Sequence, residues 1–146
     1  YGVNQVAQFV IPKFIFLAKK KKAIIINGDG NQKRSYCHAS DTAIGVEKCI
    51  KNKKVKNETL NLGNGKQLVT LKKLVNMINK KVGKNSKVIF NKKFYKTDRT
   101  VDREIFNRYC DSRKAEKLLN FKPKINLSKG LDDLIKFNIR HNWPNI

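Results

Sequence analysis

Four arginines carry the most distinctive chemistry in this 146-residue chain, because lysine supplies most of its positive charge. Only six of the 33 basic residues are arginines, and four of these six are Arg34, Arg99, Arg103 and Arg108. A planar guanidinium can hold two phosphate oxygens at once, which the ammonium of lysine cannot do. Two glycines within residues 28–30 precede Arg34 and allow the backbone to turn tightly beside a ligand. This pattern indicates a site for an anionic diphosphate.

Residues suited to catalysis or metal binding are sparse. The two histidines, His38 and His141, lie far apart in the chain. Cys37 and His38 are neighbours on a predicted strand, so their side chains would point to opposite faces and could not readily bind the same metal ion. We interpret the two residues as part of a half-buried strand. A Gly-x-Gly-x-x-Gly dinucleotide motif is absent, and the turn at residues 28–31 carries an acid and opens no helix. We therefore expect no catalytic residue and no metal site in this chain.

The net charge of +22 allows two interpretations. A strong positive field would attract nucleic acid or an anionic membrane. Alternatively, the charge reflects composition, because 27 lysines occur together with 17 asparagines and are dispersed along the whole chain. Nucleic-acid recognition favours more arginine forks and more aromatic stacking platforms than this chain has. We favour the second interpretation and do not expect nucleic acid to be the natural partner.

Cysteine usage and hydropathy bear on the location of the chain. Three cysteines at wide, unpatterned spacing, Cys37, Cys49 and Cys110, argue against a disulfide framework and fit a reducing cytosol. The longest apolar run, residues 14–18, is too short to span a bilayer. The sequence therefore predicts a cytoplasmic protein with no membrane partner.

Apolar spacing predicts alternating helices and strands in the first part of the chain. A helix begins near Ile11, and a buried β-strand at residues 23–26 ends at a turn. An extended segment follows at residues 34–39. Asp41 is the predicted N-cap of the next helix, and the inward face of that helix is predicted to consist of Ala43, Val46 and Ile50.

The remaining elements continue this alternation, and capping residues mark several of their ends. A strand is predicted at residues 59–62, a helix from Thr70 to Gly83, a strand at 87–90 and a basic loop at 91–102. Ser112 is predicted to open the next helix. The last helix is predicted to be capped by Asn126 or Ser128, and its inward face to consist of Leu131, Leu134, Ile135 and Ile139. Short strands that alternate with helices indicate an α/β domain.

Several short motifs occur in an order that resembles the extended short-chain dehydrogenases/reductases. Within these the chain most resembles the dTDP-glucose or UDP-glucose 4,6-dehydratases. The motifs are Y-G-x-N-Q at residues 1–5, V-I-P-K-F-I at 10–15, I-x-G-D-G-x-Q-x-R-S-Y at 26–36, D-x-A at 41–43, T-L-N-L-G at 59–63, and D-S-x-K-A-x-x-L-L-x-F-x-P at 111–123. Together they cover essentially the whole chain.

This resemblance implies an α/β fold that forms the C-terminal, substrate-binding part of an extended Rossmann-type enzyme. The N-terminal half that binds NAD would be missing, so that residues 1–146 form a single partial domain. The Tyr-x-x-x-Lys of the family is absent from this sequence. NAD is the cofactor of full-length members, which form homodimers, and we expect this chain alone to bind none. It is expected to be either an excerpt or a natural truncation.

The resemblance also implies a set of binding residues. Val10 and Ile11 match the nucleotide-contacting position before a proline. Ile25 and Asn27 match residues beside the base, although Asn27 cannot stack as the frequent aromatic does. Arg34 matches the arginine that pairs with the diphosphate, and Tyr36 shares its strand face two residues later. The second diphosphate arginine is either Arg99 or Arg103, of which we favour Arg103.

The function implied is that of a nucleotide-sugar-binding fragment of an NAD-dependent 4,6-dehydratase, with a UDP- or dTDP-hexose as ligand. A fragment of a related epimerase or decarboxylase is one alternative. A truncated remnant that has become a basic nucleic-acid-binding module is another. The choice between uridine and thymidine stays open at this point.

Overall fold

The structure is a computed structural model that describes residues 1–53, 55–95, 97 and 100–141. Strands and helices alternate along the described chain, which confirms the predicted α/β class. The helices are α1 (Val10–Lys19), α2 (Ala39–Lys51), α3 (Leu71–Val82), α4 (Arg113–Leu119) and α5 (Leu127–His141), and a single 3-10 turn spans Val101–Arg103. The strands are β1 (Ile24–Asn27), β2 (Lys33–Ser35), β3 (Leu68–Thr70), β4 (Val88–Asn91) and β5 (Asn107–Arg108).

The strands form two small sheets. In the first sheet, β1 pairs in parallel with β4, and Ile25 lies opposite Ile89. In the second sheet, β2 is central, antiparallel to β3 and parallel to β5. The pairing of β2 with β5 places Arg34 directly opposite Arg108. These pairings bring segments that are distant in the chain side by side.

The main core lies between β1 and the helices α1, α3 and α5. The side chains of alternate β1 residues, Ile24 and Ile26, are buried there, whereas Ile25 faces outward. Full burial of an apolar side chain of this size contributes about 1.5–3 kcal/mol relative to exposure. Other fully buried members are Ile15, Leu74, Ile78, Leu131 and Leu134. This core fixes the position of β1 relative to α1.

Capping residues mark several helix ends as predicted. The Thr70 hydroxyl accepts a hydrogen bond from the Lys73 amide at 3.1 Å and begins α3. Gly83 ends this helix in the left-handed conformation, with φ of 68°. Ser112 precedes α4. For α5 the cap is Asn126, whose Oδ1 accepts from the Lys129 amide at 2.8 Å.

The predicted role of Asp41 and the predicted inward face of α2 are wrong. His38 is the N-cap, because its ring Nδ1 accepts from the Ser40 amide at 3.3 Å. Asp41 is buried in the first turn, where its carboxylate accepts from the Lys124 and Ile125 amides. Two of the residues predicted to face inward, Val46 and Ile50, are instead 47% and 80% exposed.

A close approach at Gly45 explains the orientation of α2. A Cβ atom at Gly45 would lie 2.9 Å from side-chain atoms of both Leu62 and Phe121. The helix therefore packs through its smallest residue, and apolar periodicity does not reveal that contact. Phe121 belongs to a second core cluster under α4, with Ala115 and Leu119.

One strand prediction is also wrong. Residues 59–62 form no strand; Leu60 and Leu62 instead pack against the second core cluster. Of the extended segment predicted at residues 34–39, only the start is paired as β2, His38 is extended but unpaired, and Ala39 already belongs to α2. The sequence did not predict β3 or β5, because strands of two or three residues are too short for an alternating pattern.

Candidate functional site

A cleft of about 830 Å³ lies beside the carboxyl ends of β1, β2 and β5 and the first turn of α1. Six residues that the sequence predicted as binding residues line it: Val10, Ile11, Ile25, Asn27, Arg34 and Tyr36. Arg103 is exposed on the 3-10 turn and is not part of the lining, and Arg99 lies outside the described residues. In parallel α/β sheets, ligands bind at the carboxyl ends of strands.

Arg34 is held by three acceptors within the protein. Its Nη2 forms an ion pair with Glu104, and both side chains are only 12–13% exposed. Its Nη1 donates to the backbone oxygen of Lys33 at 2.9 Å and to that of Phe106 at 3.3 Å. The guanidinium therefore has a fixed orientation at the cleft, and one carboxylate already neutralises part of its charge.

Arg108 is the second arginine of the cleft, and the sequence placed it in the arginine group but not among the individual binding residues. It lines the cleft beside Arg34 because the two residues are paired across β2 and β5. Within the described part of the chain, no carboxylate forms an ion pair with it. The sequence showed that Arg108 belongs to the arginine group. It did not show the register between β2 and β5, which places Arg108 beside Arg34.

Tyr36 lines the cleft next to these arginines. Burial raises the pKa of Tyr36 to about 12, although Arg34 and Arg108 act in the opposite direction. The phenol is therefore neutral at physiological pH. Its oxygen is buried and has no hydrogen-bond partner among the described residues. The ring packs edge-on against Tyr1, with 6.3 Å between centroids.

A group of carboxamides lies near the end of β1. The Gln32 side chain donates from Nε2 to the backbone oxygen of Asn27. Asn91 donates from Nδ2 to Asn27 Oδ1 at 3.2 Å. Asn27 and Gln32 both line the cleft, next to the apolar side chains of Val10, Ile11 and Ile25. One end of the cleft thus combines an apolar wall with oriented amide groups.

Two thiols in the cleft lack the properties of nucleophiles. Cys37 and Cys110 both belong to the lining, and burial is the main cause that raises the pKa of each. Because the thiolate is the reactive form, both are poorly reactive at neutral pH. No group of three or more His, Cys, Asp or Glu residues in the described ranges could hold a metal ion.

The glycine turn after β1 does not fit the diphosphate of a dinucleotide cofactor. Gly28 and Gly30 adopt positive φ values of 86° and 79°, but the turn leads into β2 and not into a helix N-terminus. Hydrogen bonds from Asn31, the backbone amide first, lower the pKa of Asp29, so this turn carries a negative charge.

The fold and the cleft define the class of protein. An α/β arrangement with a basic, partly apolar cleft at the ends of parallel strands is typical of nucleotide-binding proteins. The sequence profile of the family described as GDP-mannose 4,6 dehydratase matches residues 1–134. The chain belongs to this family of NAD-dependent nucleotide-sugar epimerases and dehydratases.

Curated relatives and solved structures agree with this assignment. A UDP-glucuronate 4-epimerase of Thermodesulfobacterium geofontis is 30% identical over 94% of this chain and 40% of its own length. A trifunctional UDP-glucose 4,6-dehydratase, epimerase and reductase of Arabidopsis thaliana is 34% identical over 81% of this chain and 17% of its own length. The UDP-glucuronic acid 4-epimerase of Bacillus cereus, solved with UDP-glucuronic acid and NAD, superposes with a TM-score of 0.83 at 27% identity.

The chain is much shorter than these relatives. It spans 36–41% of the first four curated proteins that it matches. In the superposition on the B. cereus structure, 96% of this chain matches 42% of the length of that protein.

Among the described residues, no helix has the length and hydropathy needed to cross a membrane.

Proposed function

We propose that this chain is the C-terminal, nucleotide-sugar-binding part of an NAD-dependent enzyme that modifies a nucleoside diphosphate sugar. The observation that carries the proposal is the pair Arg34 and Arg108, aligned on parallel strands at one cleft. Two guanidinium groups at one site match the two phosphates of a diphosphate in charge and in hydrogen-bonding geometry.

The other lining residues complete a binding site for such a ligand. Val10, Ile11 and Ile25 provide an apolar wall for a base or ribose ring. Tyr36 lines the cleft next to the two arginines, with its hydroxyl oxygen buried beneath the surface. The ligand class that satisfies both ends is a UDP- or dTDP-hexose, or another nucleoside diphosphate sugar.

Arg108 is the proposed second diphosphate residue in this site. Arg103, which the sequence favoured, is exposed on the 3-10 turn and lies outside the cleft lining. Arg34 shares its charge with Glu104, whereas Arg108 has no ion-pair partner among the described residues. Arg108 is therefore the more available of the two cleft arginines for an incoming phosphate.

The reaction that we propose for the complete protein is 4,6-dehydration of a nucleotide hexose. Epimerisation at C4 is an alternative that the relatives support equally, because a 4-epimerase and a multifunctional dehydratase match this chain at 30% and 34% identity. Decarboxylation is a further alternative, since a UDP-glucuronic acid decarboxylase matches at 28% identity. Product analysis of the complete protein with UDP-glucose, dTDP-glucose and UDP-glucuronic acid separates these reactions, and release of CO₂ from UDP-glucuronic acid supports decarboxylation. A 4-keto-6-deoxy sugar supports dehydration, and UDP-galactose supports epimerisation.

Calorimetric titration of the 146-residue chain tests the binding proposal. We expect saturable binding of UDP-glucose or dTDP-glucose that survives moderate salt, and much weaker binding of uridine, which lacks the diphosphate. Equal affinity for uridine and UDP-glucose would contradict the assignment of the arginines. We also expect no binding of NAD, because the glycine turn does not fit its diphosphate.

A nucleic-acid-binding module is the second candidate, and it is favoured only by the net charge of +22. Binding of duplex DNA at two salt concentrations distinguishes the two candidates. Affinity that disappears at moderate salt is the general electrostatic attraction of a cationic protein for phosphates.

A cytoplasmic location and a homodimer are proposed for the complete protein. Sedimentation velocity tests the homodimer.

A further inference from the structure

Helix α2 carries an apolar stripe that the fold of this chain leaves exposed. The stripe, which we name the α2 seam, consists of Ala39, Ala43, Val46 and Ile50, and all four residues are exposed. Since successive residues of an α-helix are rotated by about 100°, these four positions fall within an arc of about 60°. The α2 seam is therefore one continuous strip along the helix.

The same helix packs on its own chain through a different face. Gly45 approaches Leu62 and Phe121 closely, and Cys49 packs against the second core cluster. Gly45 lies about 130° around the helix from the centre of the α2 seam. In the part of the chain that the structure describes, neither core cluster includes a residue of the seam. The seam thus takes no part in the interior that this chain forms.

The composition of the α2 seam differs from that of the surrounding surface. Lysine supplies 27 of the 146 residues, yet no residue of the seam is charged or polar. The neighbouring face of α2 is solvated, and Glu47 and Lys51 form an ion pair with each other there. Single exposed apolar side chains are normal on protein surfaces, whereas an aligned apolar strip is typical of an interface.

Electrostatics disfavours a second copy of this chain as the occupant of the seam. Each copy carries a net charge of +22, so two copies repel each other as they approach. Lys48 and Lys51 lie on the same helix as the seam and would add to this repulsion at the contact. The occupant is therefore a polypeptide of different charge.

The remaining part of the enzyme is the occupant that fits these observations. In the superposition on the B. cereus epimerase, 96% of this chain matches 42% of that protein, so more than half of the relative has no counterpart here. We propose that the α2 seam is the docking face for the NAD-binding part of the complete enzyme, and that an apolar surface of that part covers Val46 and Ile50. This inference rests on the proposed function, which makes the chain one part of an NAD-dependent enzyme.

Thiol labelling at single positions of α2 tests the docking face. Val46→Cys lies in the seam, and Ile44→Cys is the matched control, because Ile44 is outside the seam on the same helix and the two residues are 47% and 45% exposed. A maleimide is applied to the 146-residue chain and to the complete protein. Peptide mapping by mass spectrometry separates the introduced thiol from Cys37, Cys49 and Cys110.

The two positions should behave alike in the 146-residue chain and differently in the complete protein. We expect similar labelling rates at residues 44 and 46 in the 146-residue chain. In the complete protein, labelling at residue 46 should be at least about tenfold slower, because a buried thiol reacts only when the contact opens, and residue 44 should be unchanged. Equal labelling at residue 46 in the two proteins would overturn the inference.

Two other results would also overturn it. Equal protection of residues 44 and 46 in the complete protein would mean that the contact is not specific to the seam. Sedimentation velocity of the 146-residue chain provides the second check. A dimer that dissociates on the substitution Val46→Lys would show that a second copy, and not the NAD-binding part, occupies the seam.

Substitutions to glutamine separate docking from stability within this chain. Val46→Gln and Ile50→Gln should leave the urea midpoint of the 146-residue chain unchanged, because both side chains are exposed there. In the complete protein each should lower the melting temperature by about 2–4 °C, since a buried amide lacks a partner at an apolar contact. Ile44→Gln, the control, should have little effect in either protein. Unchanged melting of both seam variants in the complete protein would contradict the docking face.

Titration of UDP-glucose into the 146-residue chain keeps this inference separate from the proposed function. The seam residues do not line the cleft, so nucleotide-sugar binding does not depend on them. Binding of UDP-glucose together with an accessible residue 46 in the complete protein overturns the docking face alone. Protection of residue 46 without binding of UDP-glucose supports the docking face and contradicts the proposed function.

Discussion

Arg34 of β2 and Arg108 of β5 lie directly opposite each other on two neighbouring parallel strands, at the edge of one cleft. Two like charges so close together are unfavourable unless a counter-charge compensates them. Glu104 provides this counter-charge for Arg34. A bound diphosphate would provide it for both, which is why this pair is central to the proposed function.

Replacement of Arg108 by glutamine should weaken the binding of UDP-glucose by about 10- to 100-fold. A charge-assisted hydrogen bond contributes about 1.5–3 kcal/mol, and Arg108 makes no ion pair in the described part of the chain that could complicate the change. Titration calorimetry measures the effect. Arg103→Gln is the matched control, because this arginine is exposed outside the cleft lining. A larger loss in Arg103→Gln than in Arg108→Gln would reverse the assignment.

Replacement of Glu104 by glutamine should strengthen the binding of the diphosphate severalfold. The carboxylate of Glu104 lies in the cleft and occupies Arg34 Nη2, so it repels a phosphate and competes with it. Removal of this charge frees the guanidinium for the ligand. A dissociation constant for UDP that rises in Glu104→Gln would instead mean that the carboxylate is needed to orient Arg34.

The stability of the protein should fall between about pH 10 and pH 12, in part because of Tyr36. Burial raises the pKa of this phenol from 10.0 to about 12, so the folded state disfavours the ionised form. The folded state is therefore stabilised in full below pH 10, and this contribution decreases as the pH rises through the folded pKa. At pH 11 one such group accounts for about 1 kcal/mol of lost stability.

Urea unfolding at pH 8 and pH 11 measures this contribution. Tyr36→Phe should lose about 1 kcal/mol less stability between the two pH values than the wild-type chain. At pH 8 the same variant should be nearly as stable as the wild type, because the hydroxyl has no partner among the described residues. Tyr95→Phe, at a tyrosine that is 73% exposed, serves as the control and should behave like the wild type.

Replacement of Asp41 by asparagine should destabilise the fold by about 1–3 kcal/mol. The two carboxylate oxygens accept from the Lys124 amide at 3.0 Å and the Ile125 amide at 2.9 Å. Asparagine offers one oxygen, so one amide would face an NH₂ group and lose its partner. Chemical denaturation measures the difference. Asp132→Asn, at a partly exposed ion pair with Lys81, should cost less than about 1 kcal/mol.

The sequence by itself determined those features whose causes are local in the chain. The cap at Thr70, the left-handed end at Gly83 and the buried strand β1 depend on residues within a few positions of one another. The family could be inferred for the same reason, because its short motifs occur in a fixed order. The arginines also stood out without any structure, since their hydrogen-bonding geometry follows from the residue type.

Tertiary structure alone decided which of these residues meet. Arg108 reaches the cleft, while Arg103 does not, because a two-residue strand pairs with β2 in one register. Asp41 is a tertiary acceptor and not a helix cap, since the Lys124 and Ile125 amides approach it from a distant segment. The orientation of Asn27 likewise depends on Asn91 across β1 and β4. Strand pairing and backbone amides have no signature in the local residue pattern, so these contacts become visible only when the chain is folded.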